Sequence, residues 1–130
     1  MFDFNRDIET REQILFGEKY DEENYKGGTR YFEGISTEAV QKLMELKFLD
    51  PEETQNDSPT AKEMLEFAEQ WGGYTFDGYA VSLKRPDYRV NLTTISKESP
   101  SVMDELQAFI KKFRYADEFD TDGSLYAWYD

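Results

Sequence analysis

Apolar residues recur at helical spacing most clearly in residues 59–71. They fall at every third or fourth position, a pattern that is typical of a helix with one buried face. The members of this stripe are Ala61, Met64, Leu65, Ala68 and Trp71. Ser58 is a suitable N-cap, Pro59 suits the first helical position, and Gly72 stops the pattern. We therefore predict a helix over 59–71.

Three further segments show helical patterns of differing strength. Ser36 is a suitable N-cap for a helix over 36–49. Ser99 and Pro100 precede an apolar stripe that runs from residue 102 to residue 113, and they predict the start of a last helix. A thinner pattern over residues 3–16 predicts a first helix.

Alternation with a period of two predicts strands between these helices. The segments are 29–33, 74–83, 88–96 and 124–129. The middle two form a hairpin around the turn 84–87, and Gly78 indicates a bulge in its first arm. The predicted order is α-β-α-α-β-β-α-β, which lacks the regular alternation of βαβ units. We therefore expect one α+β domain over residues 1–130, with helices on one face of a mainly antiparallel sheet.

The composition favours binding over catalysis. The chain has no histidine and no cysteine, so the commonest general base and all thiolate chemistry are missing. We name no catalytic residue, and we expect no cofactor. No apolar run approaches the length of a membrane span, and residues 1–12 lack the pattern of a signal peptide. A cytoplasmic location is therefore expected.

Acidic residues are the most prominent candidates for function. The formal net charge is −13, and most of the excess lies in residues 1–70. Glu63, Glu66 and Glu69 lie away from the apolar stripe of the 59–71 segment, and Glu52 and Glu53 precede it. In size and composition the chain resembles immunity proteins and inhibitors that mimic nucleic acids. That resemblance implies a basic protein partner. The alternative is that the charge only keeps the protein dissolved.

A second hypothesis places function at the predicted hairpin tip. Lys84, Arg85 and Arg89 surround Tyr88, and basic residues with an aromatic neighbour are typical of nucleic-acid-binding surfaces. The order of two helices and a hairpin also resembles that of winged-helix domains. However, the second helix would present three glutamates to the DNA, so nucleic acid is disfavoured as a partner.

A third hypothesis is a small-ligand pocket lined by aromatic rings. Tyr74, Phe76, Tyr79 and Tyr88 lie in or beside the predicted hairpin. Most are expected in the core or on a sheet face, but some of them are candidates for lining an apolar pocket.

The segment 118–123 shows part of the pattern of a calcium loop. Glu118, Asp120 and Asp122 take its first, third and fifth positions, and Gly123 takes the sixth. The twelfth position requires a bidentate glutamate but holds Tyr129. We therefore predict a turn before a last strand, with Gly123 at positive φ.

Overall fold

The computed structural model describes residues 2–130. Its strands form a single five-stranded sheet. The strands are β1 (Thr29–Ser36), β2 (Thr75–Val81), β3 (Val90–Lys97), β4 (Glu118–Asp120) and β5 (Leu125–Trp128). Their order across the sheet is β1-β2-β3-β5-β4, and all four neighbouring pairs are antiparallel. The prediction of an α+β fold with a mainly antiparallel sheet is confirmed.

The helices cover one face of this sheet. They are α1 (Ile8–Phe16), α2 (Thr37–Glu45), α3 (Ala61–Trp71) and α4 (Met103–Phe113). α1 and α2 contact β1, α3 contacts β3 and α4 contacts β5. Within residues 2–130, no helix combines the length and the apolar composition that a bilayer span requires.

The register of the sheet places its large apolar residues against the helices. Phe76 on β2 lies beside Ile95 on β3, and Ile95 lies beside Ala127 on β5; all three are fully buried. The register shifts between Asp77 and Gly78, which confirms the predicted bulge. At Gly78 a Cβ would overlap the carbonyl oxygen of Asn91 and lie 2.6 Å from Cζ of Phe32. Only glycine lets these neighbours approach so closely.

For three helices, the predicted starting positions (residue 3, Ser58 and Ser99) were wrong. Other residues cap α1 and α3, and α4 has no side-chain cap. The Asp7 side chain caps α1 by accepting from the Thr10 amide. Thr60 caps α3 in a reciprocal capping box with Glu63. α4 begins at Met103 without a side-chain cap, and the Ser101 amide before it donates to Glu105 Oε1 at 2.6 Å.

The end of α2 and the number of strands also differ from the prediction. α2 has the predicted cap Ser36 but ends at Glu45, because Lys47 adopts a positive φ and the chain then turns Phe48 and Leu49 into the core. The strand β4 was not predicted. It pairs with β5 through Phe119 opposite Ala127, so this acidic segment is half of a hairpin.

Candidate aromatic and acidic groove

The sheet face that the helices leave open carries carboxylates and aromatic rings in adjacent rows. Asp77 on β2, Thr94 on β3, Trp128 on β5 and Glu118 on β4 are successive cross-strand partners. Neighbouring side chains across a sheet point to the same face, so this row aligns two carboxylates with an indole ring. The next row aligns Tyr126 and Asp120.

Two pairs of aromatic residues border a groove on this open face. Tyr31 and Tyr79 are cross-strand partners whose ring centroids lie 6.3 Å apart in an edge-to-face arrangement. Tyr126 and Trp128 are two residues apart on β5 and therefore share a face. Together with Asp77 these four rings line a cavity of about 280 Å³, which we call the groove.

Asp77 is half-buried in the lining of the groove. Its Oδ1 accepts a hydrogen bond from the Gly34 amide at 2.8 Å, which fixes the orientation of the carboxylate. Within residues 2–130 no hydrogen bond reaches Oδ2 and no ion pair involves this side chain. The carboxylate is thus oriented by the backbone while its charge stays uncompensated.

The carboxylates of the open face affect the ionisation of Tyr126. Burial raises the pKa of Tyr126, and the nearby carboxylates of Glu118 and Asp77 raise it further. Ion pairs among residues 2–130 engage only five of the 28 acidic side chains, and none of these five lies in the two rows of the open face. A cation from outside the described chain would therefore meet little internal competition there.

One rim of the groove is held by a polar network. Arg89 donates from Nη2 to the hydroxyl of Tyr79 at 3.0 Å, and its guanidinium lies 5.6 Å from the centroid of that ring. Gln55 Oε1 accepts from Asn91 Nδ2 at 2.8 Å. The Tyr79 hydroxyl lies 3.5 Å from the same Gln55 oxygen, so these contacts hold the hydroxyl end of Tyr79.

The predicted acidic residues on α3 are exposed, but two of the three have partners within the chain. Glu63 belongs to the capping box with Thr60, and one of its oxygens lies 3.7 Å from Lys112 Nζ. The hydrogen bond from the Thr60 backbone lowers the pKa of Glu63, against the opposing effect of burial. Glu69 accepts a hydrogen bond from Gln41, whereas Glu66 is exposed.

The other two predicted acidic residues lie in the connection between α2 and α3. Glu52 is exposed, whereas Glu53 is half-buried. Burial raises the pKa of Glu53, and Arg89 acts in the opposite direction. The five predicted carboxylates are therefore divided between a helix face and a loop.

Two of the three cations at the predicted basic hairpin tip share one aspartate. Arg85 Nη2 lies 2.7 Å and Arg89 Nη1 lies 3.1 Å from Asp87 Oδ2. Burial would raise the pKa of Asp87, but the hydrogen bonds from the two arginines outweigh it and lower that pKa. Lys84 is exposed. The strands that carry this tip lie inside the sheet, with β2 between β1 and β3, so they do not form a separate wing.

The four aromatic residues proposed for a pocket have different surroundings. Phe76 is fully buried in the core, and the buried Tyr74 donates from its hydroxyl to Glu105 at 2.8 Å. Tyr88 is also buried, and the guanidinium groups of Arg6 and Arg11 lie 4.8 and 4.7 Å from its ring centroid. Tyr79 is the member of this set that lines the groove.

The partial calcium pattern falls on the β4–β5 hairpin. Glu118 and Asp120 are strand residues of β4, and the Asp122 amide donates to Asp120 Oδ1 at 2.8 Å in the turn. Gly123 has a φ of 91°, as predicted for that turn. Among residues 2–130 no group of three or more acidic side chains is arranged to hold a metal ion.

Sequence reasoning missed Tyr31, Asp77, Tyr126 and Trp128 as site residues. Tyr126 and Trp128 alternate with the apolar Leu125 and Ala127, so the sequence does place them on one face of a strand. The sequence does not show the strand register, which places Tyr126 and Trp128 next to β4 and on the same face as Asp77 of β2.

The chain matches no model of a known protein family, no curated protein and no solved structure.

Proposed function

We propose that the protein binds a basic segment of a partner protein on the open face of its sheet. The observation that supports this most strongly is the combination of four aromatic rings with the carboxylates of Asp77 and Glu118, which have no ion pair within residues 2–130. Rings supply contact area and attract cations, and unpaired carboxylates favour a positively charged partner.

The charge balance favours a protein partner over a nucleic acid. A net charge of −13 repels phosphates at long range, and two of the three basic side chains at the hairpin tip are already paired with Asp87. The absence of cysteine also suits a reducing compartment, so we propose that binding occurs in the cytoplasm.

Two variants with the same change in net charge test which face of the protein binds the partner. Glu118→Lys/Asp120→Lys reverses two carboxylates on the open face, and Glu66→Lys/Glu69→Lys reverses two on α3. Fluorescence anisotropy measures the affinity of each for fluorescein-labelled decapeptides rich in lysine and arginine, with an acidic decapeptide and a DNA duplex as controls.

We expect the open-face variant to lose about tenfold or more in affinity for the basic peptides, because it removes attraction and adds repulsion at the contact. The α3 variant should lose about threefold or less, because its charges act only at long range. Equal losses would indicate attraction by net charge alone. A loss confined to the α3 variant would move the binding surface to the acidic helix; either result contradicts the proposal. Circular dichroism checks that both variants are folded.

A further inference from the structure

We propose that the groove receives one arginine side chain of the partner, with its guanidinium against the aromatic rings and paired with Asp77. This inference depends on the proposed function, since it names the group that the open face recognises. The occupant is an arginine of a protein segment because the carboxylates of Asp77, Glu118 and Asp120 on this face have no ion pair within residues 2–130.

The walls of the groove offer aromatic surface on both sides of a cation. Tyr31 and Tyr79 lie on one side, and Tyr126 and Trp128 lie on the other. Tyr31 is 76% exposed, which is unusual for a large ring on a sheet. A cation over an aromatic face gains attraction from the ring quadrupole, and the gain increases when the site loses water.

Asp77, which lines the groove together with Glu33 and Asp130, supplies the direction of recognition. Because the Gly34 amide holds Oδ1 of Asp77 at 2.8 Å, the carboxylate plane is fixed before a ligand arrives. A guanidinium offers two parallel N–H donors to such a plane, whereas an ammonium acts as a point charge. The fixed orientation therefore favours arginine over lysine.

The ring of Tyr79 already contacts an arginine of the same chain. Arg89 lies 5.6 Å from the centroid of Tyr79 while its Nη1 pairs with Asp87 at 3.1 Å. The partner's arginine would repeat that combination of ring and carboxylate on the groove side, with Asp77 in place of Asp87. Arg30, which lies 3.7 Å from the ring centroid of Phe16 and 2.9 Å from Glu18, is a second example in this protein.

The test uses Trp128 as a reporter inside the groove. The chain has two tryptophans, so Trp71→Phe leaves Trp128 as the single emitter. Two decapeptides of equal length and charge, one with arginine and one with lysine as its only basic residue type, are titrated into this variant. Emission from Trp128 and anisotropy of the labelled peptides are recorded.

We expect the arginine peptide to change Trp128 emission and to bind at least about fivefold more tightly than the lysine peptide. Asp77→Asn, which retains an oxygen for the Gly34 amide, should remove this preference. Asp120→Asn removes the same charge from the same face outside the groove lining, and it should retain the preference. Tyr31→Ser, at an exposed ring, should also weaken the arginine peptide selectively.

The two proposals fail in different ways. Equal affinities for the two peptides, with Asp77→Asn no more harmful than Asp120→Asn, would overturn the arginine site and leave binding on the open face intact. If neither peptide binds, the proposed function fails as well. If Asp77→Asn is unfolded, the Tyr31→Ser result decides in its place: an unchanged preference for arginine in that variant contradicts the inference.

Discussion

The two faces of the sheet differ in whether their carboxylates form ion pairs. On the face covered by helices, Glu12 of α1 and Glu105 of α4 are fully buried, and each has a cationic partner. On the open face, Asp77 and Glu118 have no ion pair within residues 2–130. A buried carboxylate without a partner costs several kcal/mol, whereas a hydrated one costs little. Both fully buried carboxylates are therefore paired, whereas the charges of Asp77 and Glu118 are left without a cation among residues 2–130.

The two buried carboxylates are themselves satisfied to different degrees. Glu105 accepts from Lys97 Nζ at 2.9 and 3.1 Å, from the Tyr74 hydroxyl at 2.8 Å and from the Ser101 amide at 2.6 Å. Glu12 receives hydrogen bonds from Arg11 and Tyr25 on Oε1, while Oε2 has an ion-pair contact at 3.8 Å from Arg30 and no hydrogen bond within residues 2–130. The Glu12 cluster thus has the least margin for losing a partner.

The largest effect is expected when Glu12 loses its closest cation. Arg11 is fully buried and donates to Glu12 at 3.2 Å, to the Tyr25 hydroxyl at 2.8 Å and to the Val81 carbonyl at 3.0 Å. Arg11→Met should lower the free energy of unfolding by about 3–5 kcal/mol, because it leaves a buried carboxylate nearly unpaired. Urea denaturation measures the change.

A double variant is the control for this prediction. Arg11→Met/Glu12→Leu removes both charges, and Arg30 retains Glu18 at 2.9 Å. We expect it to be more stable than Arg11→Met alone. If the double variant is the less stable of the two, the cost does not come from the unpaired carboxylate.

A slightly smaller effect is expected at Glu105, and it should depend on pH. Glu105→Gln should cost about 3 kcal/mol near neutral pH, because it leaves the ammonium of Lys97 without its carboxylate. Burial alone would raise the pKa of Glu105, but the hydrogen bonds from Lys97, the Ser101 amide and Tyr74 outweigh it and lower that pKa.

The sign of the pH dependence follows from that lowered pKa. The ionised form of Glu105 is favoured by folding, so its contribution is complete above the unfolded pKa of about 4.3 and is lost as the pH falls through the lower folded value. The difference in unfolding free energy between the wild-type protein and Glu105→Gln should therefore shrink in acid. A difference that stays constant from neutral to strongly acidic pH would contradict the assignment.

A third prediction concerns Gly78, where the backbone of β2 lies close to atoms of both neighbouring strands. Gly78→Ala should cost about 2 kcal/mol, because its Cβ would press on the Asn91 carbonyl and on the Phe32 ring. Gly123→Ala is a control with open space around the added methyl but a φ of 91°, so only backbone strain acts there. Thermal unfolding of both variants separates crowding from strain; an unchanged melting temperature for Gly78→Ala would disprove the close approach.

The smallest effect is expected on the open face. Glu118→Gln should change the free energy of unfolding by less than about 0.5 kcal/mol, because the side chain is exposed and has no ion pair within residues 2–130. The same urea series that measures Arg11→Met measures this variant. A loss as large as that of Glu105→Gln would remove the contrast between the two faces.

The sequence predicted the fold wherever one side of an element is strongly apolar. The stripe of α3 and the alternation of β2 and β3 identify those elements, because burial of a continuous face is a local property of the pattern. The start of α3 was missed although the sequence indicates it, because Thr60 and Glu63 have the spacing of a capping box and Ser58 has Ala61 in the place of that glutamate. β4 was missed because a three-residue strand with two acidic members has the composition of a loop.

The candidate site was less predictable because it depends on register. Asp77 comes to lie in line with Trp128 only through the pairing of β2 with β3 and of β3 with β5, and the bulge at Gly78 shifts that pairing by one residue. One partner of the buried Glu105 is likewise distant along the chain, since Tyr74 lies 31 residues away. A sequence shows how many carboxylates and aromatic rings a chain has. Which of them lie together on one face of the sheet depends on the register of the folded strands.

The short acidic strand at the edge of the sheet has one more consequence. A strand edge offers free backbone groups to any passing chain, and the natural first candidate is the same edge of another copy. Here such a pairing would bring Glu118 and Asp120 of one molecule against those of the next, so like charges oppose growth of the sheet from molecule to molecule. Like charge therefore disfavours pairing of this edge with its own copy, whereas a chain of opposite charge is attracted to it.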